Sequence, residues 1–185
     1  MPFLGTGPTK TPADGSVDTA QLVDDAVDYS KVDDGAVLQI VNVQDGAVNT
    51  SASTIAIDDS IPQNTEGGEM MTLAITPKLS TSNLKIDVVI CGSQSTTSSI
   101  MCTAALFQDS TADAIAAAIM CHSNVASGRN TGSFSHFMTS GTISETTFKV
   151  RCGPTGGTFT FNGNAGSREF GGVMPSSITI TEIKA

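Results

Sequence analysis

Apolar and polar residues alternate along much of the second part of the chain, which is the pattern of half-buried β-strands. The stretch NLKIDVVIC, residues 83–91, places four aliphatic residues on one face and Lys85 and Asp87 on the other. The stretch TTFKVRC, residues 146–152, alternates in the same way. Gly, Pro, Asn or Ser bound these runs, and these residues favour turns. The pattern therefore predicts an all-β protein, either a sandwich or a barrel.

Six further runs have the length of strands and are rich in β-branched and aromatic residues. They are AVLQIVNV at 36–43, EMMTLAIT at 69–76, IMCTAALFQ at 100–108, TGSFSHFMT at 131–139, GTFTFN at 157–162 and SITITEIK at 177–184.

One segment, residues 109–122, allows two interpretations. It is rich in alanine, and the sequence DSTAD could cap a helix at Thr111. Apolar residues also recur at every second position from Ile115 to Cys121, as they do in a strand. Because strands are predicted on both sides of the segment, a strand is favoured over the helix.

Residues 1–37 follow a different pattern. DGSV, DDAV and DGAV begin ten residues apart, and an apolar residue recurs every five positions, a period that fits neither a helix nor a strand. This segment holds seven Asp and two Lys, a net charge of −5, whereas the rest of the chain holds eleven acids and seven bases. The sequence therefore predicts an extended arm over residues 1–37 and a β-domain over residues 38–185. The periodic apolar residues are Val17, Leu22, Val27, Val32 and Val37.

Two large apolar residues, Phe3 and Leu4, lie near the start of this arm among three prolines and two glycines. Proline excludes a helix interior or a central strand, so an extended peptide is expected. Two hydrophobic side chains on a polar arm can anchor it in a groove of a binding partner. A frayed terminus has the same composition and is the alternative. Phe3 and Leu4 are candidate anchoring residues.

Overall composition excludes several functional classes. The formal net charge of −9 argues against nucleic-acid binding, which depends on Lys and Arg. No apolar run approaches the ~18 residues of a transmembrane helix, and the first residues lack the features of a signal peptide. We expect neither membrane insertion nor export by the general secretory route. The four cysteines form no C-x-x-C motif and are expected to be reduced and partly buried.

Residues suited to catalysis do not converge in the sequence. His122 and His136 stand in no metal-binding spacing. Cys121 precedes His122 directly, so on a strand the two side chains would point to opposite faces. Paired acids such as Asp58 and Asp59 lie in polar segments typical of turns, without the denser spacing of a calcium loop. We therefore expect no enzyme activity, no metal and no cofactor.

Sugar-binding sites often use an exposed Trp or Tyr, and the β-domain has neither. A strong lectin site is therefore not indicated, although Phe134, Phe137 or Phe170 could supply apolar contacts.

Several stretches of the chain resemble a domain of tailed-bacteriophage structural proteins, usually described as tail-fibre or phage-related proteins. They are IPQNTEGGEMMTLAITPKLSTSNLKIDVVI, the pair TTFKVRCG and GTFTFNG, and the closing FGGVMPSSITITEIKA. The resemblance covers about residues 36–185. The repeats at the front are similar to the DGSV-TTAKLADGAV spacers of phage fibres.

This resemblance implies a jelly-roll-like antiparallel β-sandwich, preceded by an extended arm with short repeats, that assembles as a homotrimer. It implies a non-enzymatic virion protein, assembled in the bacterial cytoplasm. The arm would dock onto other virion proteins of the tail, baseplate or capsid. The domain would be displayed as a small tail fibre or spike that contacts a host receptor. The alternative is a capsid decoration protein that stabilises the head, which the short chain favours.

The similarity to fibre spacers also implies a role for the five periodic apolar residues. In a trimer, each would meet its two copies on the molecular axis and form one of a series of stacked apolar layers. The aspartates of the repeats would then face water.

Overall fold

A computed structural model describes residues 28–95, 99–123 and 125–185. Within these residues the chain forms twelve β-strands and one short 3-10 turn. The strands are β1 (Val37–Asp45), β2 (Asn49–Ser51), β3 (Gly68–Ile75), β4 (Asn83–Gln94), β5 (Ile100–Gln108), β6 (Ala116–Ser123), β7 (Arg129–Thr139), β8 (Thr146–Pro154), β9 (Phe159–Phe161), β10 (Gly163–Asn164), β11 (Ser167–Arg168) and β12 (Ser176–Ile183); the 3-10 turn is Phe170–Gly172.

Two antiparallel sheets contain the long strands. In the first sheet β12 lies between β1 and β4, and β7 pairs with the other edge of β4. The short strands β9 and β2 extend this sheet, because β9 pairs with the end of β4 and β2 pairs with β9. The second sheet has the order β3-β8-β5-β6.

The order of the eight long strands is that of a jelly roll. Counted along the chain, the first sheet holds the first, eighth, third and sixth long strands, and the second holds the second, seventh, fourth and fifth. Such alternation between two sheets is the double Greek key of the jelly-roll sandwich. The predicted all-β, jelly-roll-like antiparallel sandwich is therefore confirmed for Asp34–Ala185, which forms one compact unit.

Alternation along the strands supplies the core between the sheets. In β8, Phe148 and Val150 are fully buried, whereas Lys149 and Arg151 point to the outside of the second sheet, as the sequence predicted. The fully buried aliphatic and aromatic residues that fill the core from both sheets include Leu84, Ile86, Val88, Ile90, Leu106, Phe148, Val150, Ile178 and Ile180.

A smaller apolar cluster lies on the outer face of the second sheet. The crossover, defined as residues 52–67 between β2 and β3, runs over this face. Its Ile55 is fully buried against Ala105 and Phe107 of β5. Main-chain hydrogen bonds fix the crossover, with Ile55 N–H donating to Pro154 O and Ala114 N–H donating to Pro62 O. The second sheet is thus covered on both faces at its centre.

The ambiguous segment 109–122 forms a turn followed by β6, so the favoured strand is confirmed and the helix is wrong. Its alternation is broken, however. Met120 of β6 is an extra residue between the pairs Cys102–Cys121 and Thr103–Ile119, and it changes which residues of β6 face inward. Cys121 is buried, whereas Ile119 is 51% exposed on the outer face.

Glu182 of β12 is a fully buried carboxylate that joins three parts of the sandwich. It accepts hydrogen bonds from Gln39 Nε2 in β1 at 2.6 Å and from Ser82 Oγ at 2.6 Å. The main-chain N–H groups of Lys78 and Leu79, in the β3–β4 turn, donate to it at 2.8 and 3.1 Å. Burial raises the pKa of this carboxyl, but the hydrogen bonds outweigh burial and hold the pKa below its usual range.

The residues just before this unit form a local turn. The Asp28 carboxylate accepts hydrogen bonds from Ser30 N–H at 2.8 Å and from Lys31 Nζ at 3.1 Å. Hydrogen bonds from the Ser30 side chain and from Lys31 lower the pKa of Asp28 to about 2. The predicted division of the chain at residue 37 stays a prediction.

Replacing the buried carboxylate should destabilise the sandwich. Glu182→Gln keeps the shape but turns one acceptor into a donor that faces main-chain N–H groups, so we expect a loss of about 2–3 kcal/mol in the free energy of unfolding at pH 7. Because the folded pKa is lowered, the carboxylate stabilises the protein above the unfolded pKa of about 4.3, and this contribution disappears as the pH falls through the folded pKa. Urea unfolding at several pH values measures both effects.

The free energy of unfolding of the wild type should therefore approach that of Glu182→Gln as the pH falls below about 4. The matched control is Glu145→Gln, at an exposed glutamate of the β7–β8 loop, which should change stability little. If the two proteins differ in free energy of unfolding by the same amount at every pH, the charge of Glu182 does not stabilise the fold.

The two sheets approach each other closely where β6 and β7 run side by side, and this contact requires a glycine. A Cβ at Gly132 would lie 2.9 Å from Met120 Cα and 3.0 Å from Met120 O. Gly132→Ala should therefore push the strands apart and lower the free energy of unfolding by about 1–3 kcal/mol. Gly156→Ala, whose Cβ would lie 3.5 Å from Ile100 Cδ1, is the control. Equal urea midpoints for the two variants would contradict the prediction.

Candidate functional site

Most of the predicted arm residues lie outside the part of the chain that the structure describes. These are the anchoring residues Phe3 and Leu4 and the periodic residues Val17, Leu22 and Val27. Their roles stay predictions.

Two of the periodic residues are described. Val32 is half-buried, and Val37 is 55% exposed at the first position of β1, opposite Ile183. The trimer axis that the repeat predicts is therefore not tested by these positions.

The side chains considered for catalysis are kept apart. Cys121 is buried and His122 is exposed, so the two neighbours lie on opposite sides of β6, as predicted for a strand. His122 Nε2 lies 2.8 Å from Ser99 Oγ on the surface. His136 is half-buried in β7, opposite Ile86 of β4.

All four cysteine thiols are free and buried. Cys102 and Cys121 face each other across β5 and β6. Burial raises the pKa of the Cys152 thiol. A thiol that stays protonated is a poor nucleophile, so Cys152 acts as a small core residue.

The paired acids occupy turns. Asp58 accepts a hydrogen bond from Ser60 N–H at 2.8 Å, and the hydrogen bonds of Ser60, led by its side chain, lower the pKa of Asp58. Asp34 Oδ1 lies 3.7 Å from Lys184 Nζ. Over the described residues, no group of three or more His, Cys, Asp or Glu is placed to hold a metal ion. The same residues contain no helix long and apolar enough to cross a membrane.

One loop presents apolar side chains to solvent. This tip loop, residues 169–173, lies between β11 and β12 and includes the 3-10 turn. Phe170 is 72% exposed and Val173 is 82% exposed. Phe170 has a φ of 48°, a left-handed conformation that is unusual for a bulky residue.

The tip loop is held on both sides. The Arg129 guanidinium at the start of β7 forms an ion pair with the Glu169 carboxylate. Arg129 Nε donates hydrogen bonds to the two carboxylate oxygens at 2.8 and 2.7 Å. This hydrogen bonding lowers the pKa of Glu169 and raises that of Arg129. On the other side, the loop packs so closely on Gly46 that a Cβ there would lie 2.1 Å from Gly172 O. Phe170 and Val173 are thus presented from a fixed loop.

The other phenylalanines named from the sequence differ in exposure. Phe134 packs against the core between the sheets, whereas Phe137 is 58% exposed on the outer face of the first sheet. Ile40, on the opposite edge of the same face, is 60% exposed.

Two cavities flank the crossover on the outer face of the second sheet. On one side is a groove of about 240 Å³ whose walls include Ile57, Pro62 and Ile119. The hydroxyl of Thr103, which also lines it, is buried and has no hydrogen-bond partner. This groove is largely apolar.

The second cavity, of about 330 Å³, is polar. Its lining side chains come from β3, β5, β8, the turn after β5 and the crossover. They include Asn64, Glu69, Asp109, Ser110, Lys149 and Arg151. The sequence placed Lys149 and Arg151 on the outer face, but it gave no signal that acidic side chains from other elements would meet them there.

No protein-family model and no curated protein matches this sequence. Among solved structures, the chain is similar to a chain in the structure of infectious bursal disease virus Gt strain, with 10% identity, a TM-score of 0.39 and 82% of this chain covered. For the Gx strain the identity is 14%, the TM-score 0.36 and the coverage 80%. For dimeric latent PorU from Porphyromonas gingivalis the values are 9%, 0.36 and 80%.

The chain spans 37% to 39% of the length of the two viral chains and 13% of PorU. Similarity at these TM-scores gives no basis for a function. The fold assignment therefore rests on the strand order of the two sheets.

Proposed function

We propose that this chain is a non-enzymatic structural and attachment protein of a bacteriophage particle. The arm of residues 1–37 docks onto other virion proteins, and the jelly roll is displayed as a homotrimer in a small tail fibre or spike. The sequence resemblance supports the phage assignment. The structural observation that carries the attachment role is the tip loop, with two exposed apolar side chains on a fixed loop.

The position of the tip loop suits display. β1 begins with Val37 opposite Ile183 and ends with Asp45 opposite Ser176, next to Gly46 and the tip loop. The chain therefore enters the sandwich at one end and the tip loop lies at the other, roughly 30 Å away at about 3.3 Å per residue. A domain fixed to a particle through the residues before β1 would direct the tip loop away from it.

The conformation of the tip loop also suits binding. A fixed apolar side chain loses little conformational entropy when a partner covers it, so more of the contact energy contributes to affinity. Backbone strain at an exposed residue such as Phe170 tends to occur at functional positions. Aromatic side chains are among the residues that dominate protein interfaces.

Removing the two apolar side chains of the tip loop should weaken attachment. We expect particles carrying Phe170→Ser together with Val173→Ser to adsorb to host cells at least tenfold more slowly, with unchanged incorporation of the protein. Adsorption rates and immunoblots of purified particles measure the two quantities. The control is Ile143→Ser, which removes an isoleucine that is 63% exposed in the β7–β8 loop. Normal adsorption of the double variant would exclude the tip loop as the attachment site.

The arm should be needed for incorporation rather than for folding. We expect Phe3→Ser together with Leu4→Ser to remove the protein from particles while the purified protein keeps its sedimentation as a trimer. Thr6→Ser together with Thr9→Ser, which removes no large apolar group from the same segment, should incorporate normally. Normal incorporation of the Phe3 and Leu4 variant would refute the anchoring role.

Copy number separates the tail fibre from the alternative, a capsid decoration protein. A tail fibre or spike requires at most a few tens of copies in a virion. Quantitative mass spectrometry of purified particles measures this number, and several hundred copies would establish the decoration protein instead.

A further inference from the structure

We propose that the polar cavity beside the crossover binds a saccharide, with the hydroxyl groups of one uncharged sugar ring held by Lys149, Glu69 and Asp109. The cavity lies on the outer face of the second sheet and is distinct from the tip loop. This inference goes beyond the proposed function, because binding in the cavity does not depend on attachment to a particle.

Two cations in the cavity share one carboxylate without a short hydrogen bond. Lys149 Nζ lies 3.6 Å from Glu69 Oε2, and Arg151 Nη1 lies 3.7 Å from the same oxygen. These distances exceed those of good N–H···O hydrogen bonds. A hydroxyl group fits such an arrangement, because it can accept from the ammonium group and donate to the carboxylate at the same time.

Two of the charged side chains in the cavity are held in place by main-chain groups before any ligand binds. Arg151 donates from Nε to Glu66 O and from Nη2 to Gly67 O, both at 2.7 Å, and its side chain is only 19% exposed. Asp109 Oδ1 accepts a hydrogen bond from Thr147 N–H at 2.8 Å. Polar groups that are already oriented bind a ligand at a smaller entropic cost.

The charges in the cavity favour an uncharged ligand. Lys149 and Arg151 supply two positive charges, and Glu69 and Asp109 supply two negative charges, so neither an anion nor a cation is selected by net charge. The lining side chains supply both donors and acceptors, which matches a ligand with several hydroxyl groups.

The size of the cavity is consistent with a small ligand. Its volume of about 330 Å³ falls at the lower end of the range for small-molecule sites, about 300–1,000 Å³. The cavity is formed by five different elements, whereas an ordinary surface ion pair such as Lys85–Asp87 joins neighbours two residues apart on one strand. We therefore assign the cavity as a binding site for one sugar ring.

Titration of the purified full chain with the methyl glycosides of glucose, galactose, mannose and N-acetylglucosamine tests this assignment. Isothermal calorimetry and saturation-transfer NMR would follow binding. We expect at least one glycoside to bind and Lys149→Met to weaken that binding at least tenfold, since a charge-assisted hydrogen bond is lost. Lys85→Met is the matched control, because Lys85 is also half-exposed and also paired with a carboxylate. This variant should bind the glycoside as tightly as the wild type does.

Two results would overturn the saccharide assignment. One is that none of the four glycosides binds, or that Lys149→Met binds them as tightly as the wild type. The other is that glucuronate or inorganic phosphate binds at least tenfold more tightly than the neutral glycosides, which would make the cavity an anion site. Neither result affects the tip loop, whose test is adsorption of particles.

Discussion

The buried carboxylate of Glu182 is the interaction on which the geometry of this sandwich depends most. Its four neutral donors belong to β1, to the β3–β4 turn and to the residue that precedes β4. Glu182 thereby joins the last strand to the first and fixes the turn by which the chain passes from the second sheet to the first. Each donor that it satisfies would be costly to bury unpaired. The end of the sandwich where β1 begins is thus held by a polar network rather than by apolar packing alone.

The tip loop and the polar cavity, which carry the candidate functions, lie in different parts of the sandwich. The tip loop lies at the far end of β1 and is held by Arg129 and by close packing on Gly46. The polar cavity lies on the outer face of the second sheet, beside a crossover that Ile55 anchors. A jelly roll can carry both because its core is closed between the sheets, so its loops and outer faces are free to vary.

Sequence reasoning predicted the strands well because alternation is a local property. The run from Thr146 to Cys152 separates buried from exposed side chains as its pattern predicted, since neighbouring side chains of a strand point to opposite faces. The same reasoning could not give the facing of Ile119 and Cys121. An extra residue within β6, Met120, has no partner in β5 and changes the phase of the strand, and the alternation of apolar residues does not show where such a residue lies.

The sequence by itself determined the fold class, most of the strands and the outward position of Lys149 and Arg151, because these follow from the period of apolar residues. Only the tertiary structure decided the order of the strands, the burial of Glu182 and the meeting of Glu69 with Lys149 and Arg151. It also decided that Phe170 stands exposed on a fixed loop. The contacts of Glu182, of the cavity and of the tip loop join residues that lie 40 to 143 positions apart in the chain, and no local pattern carries information over that distance.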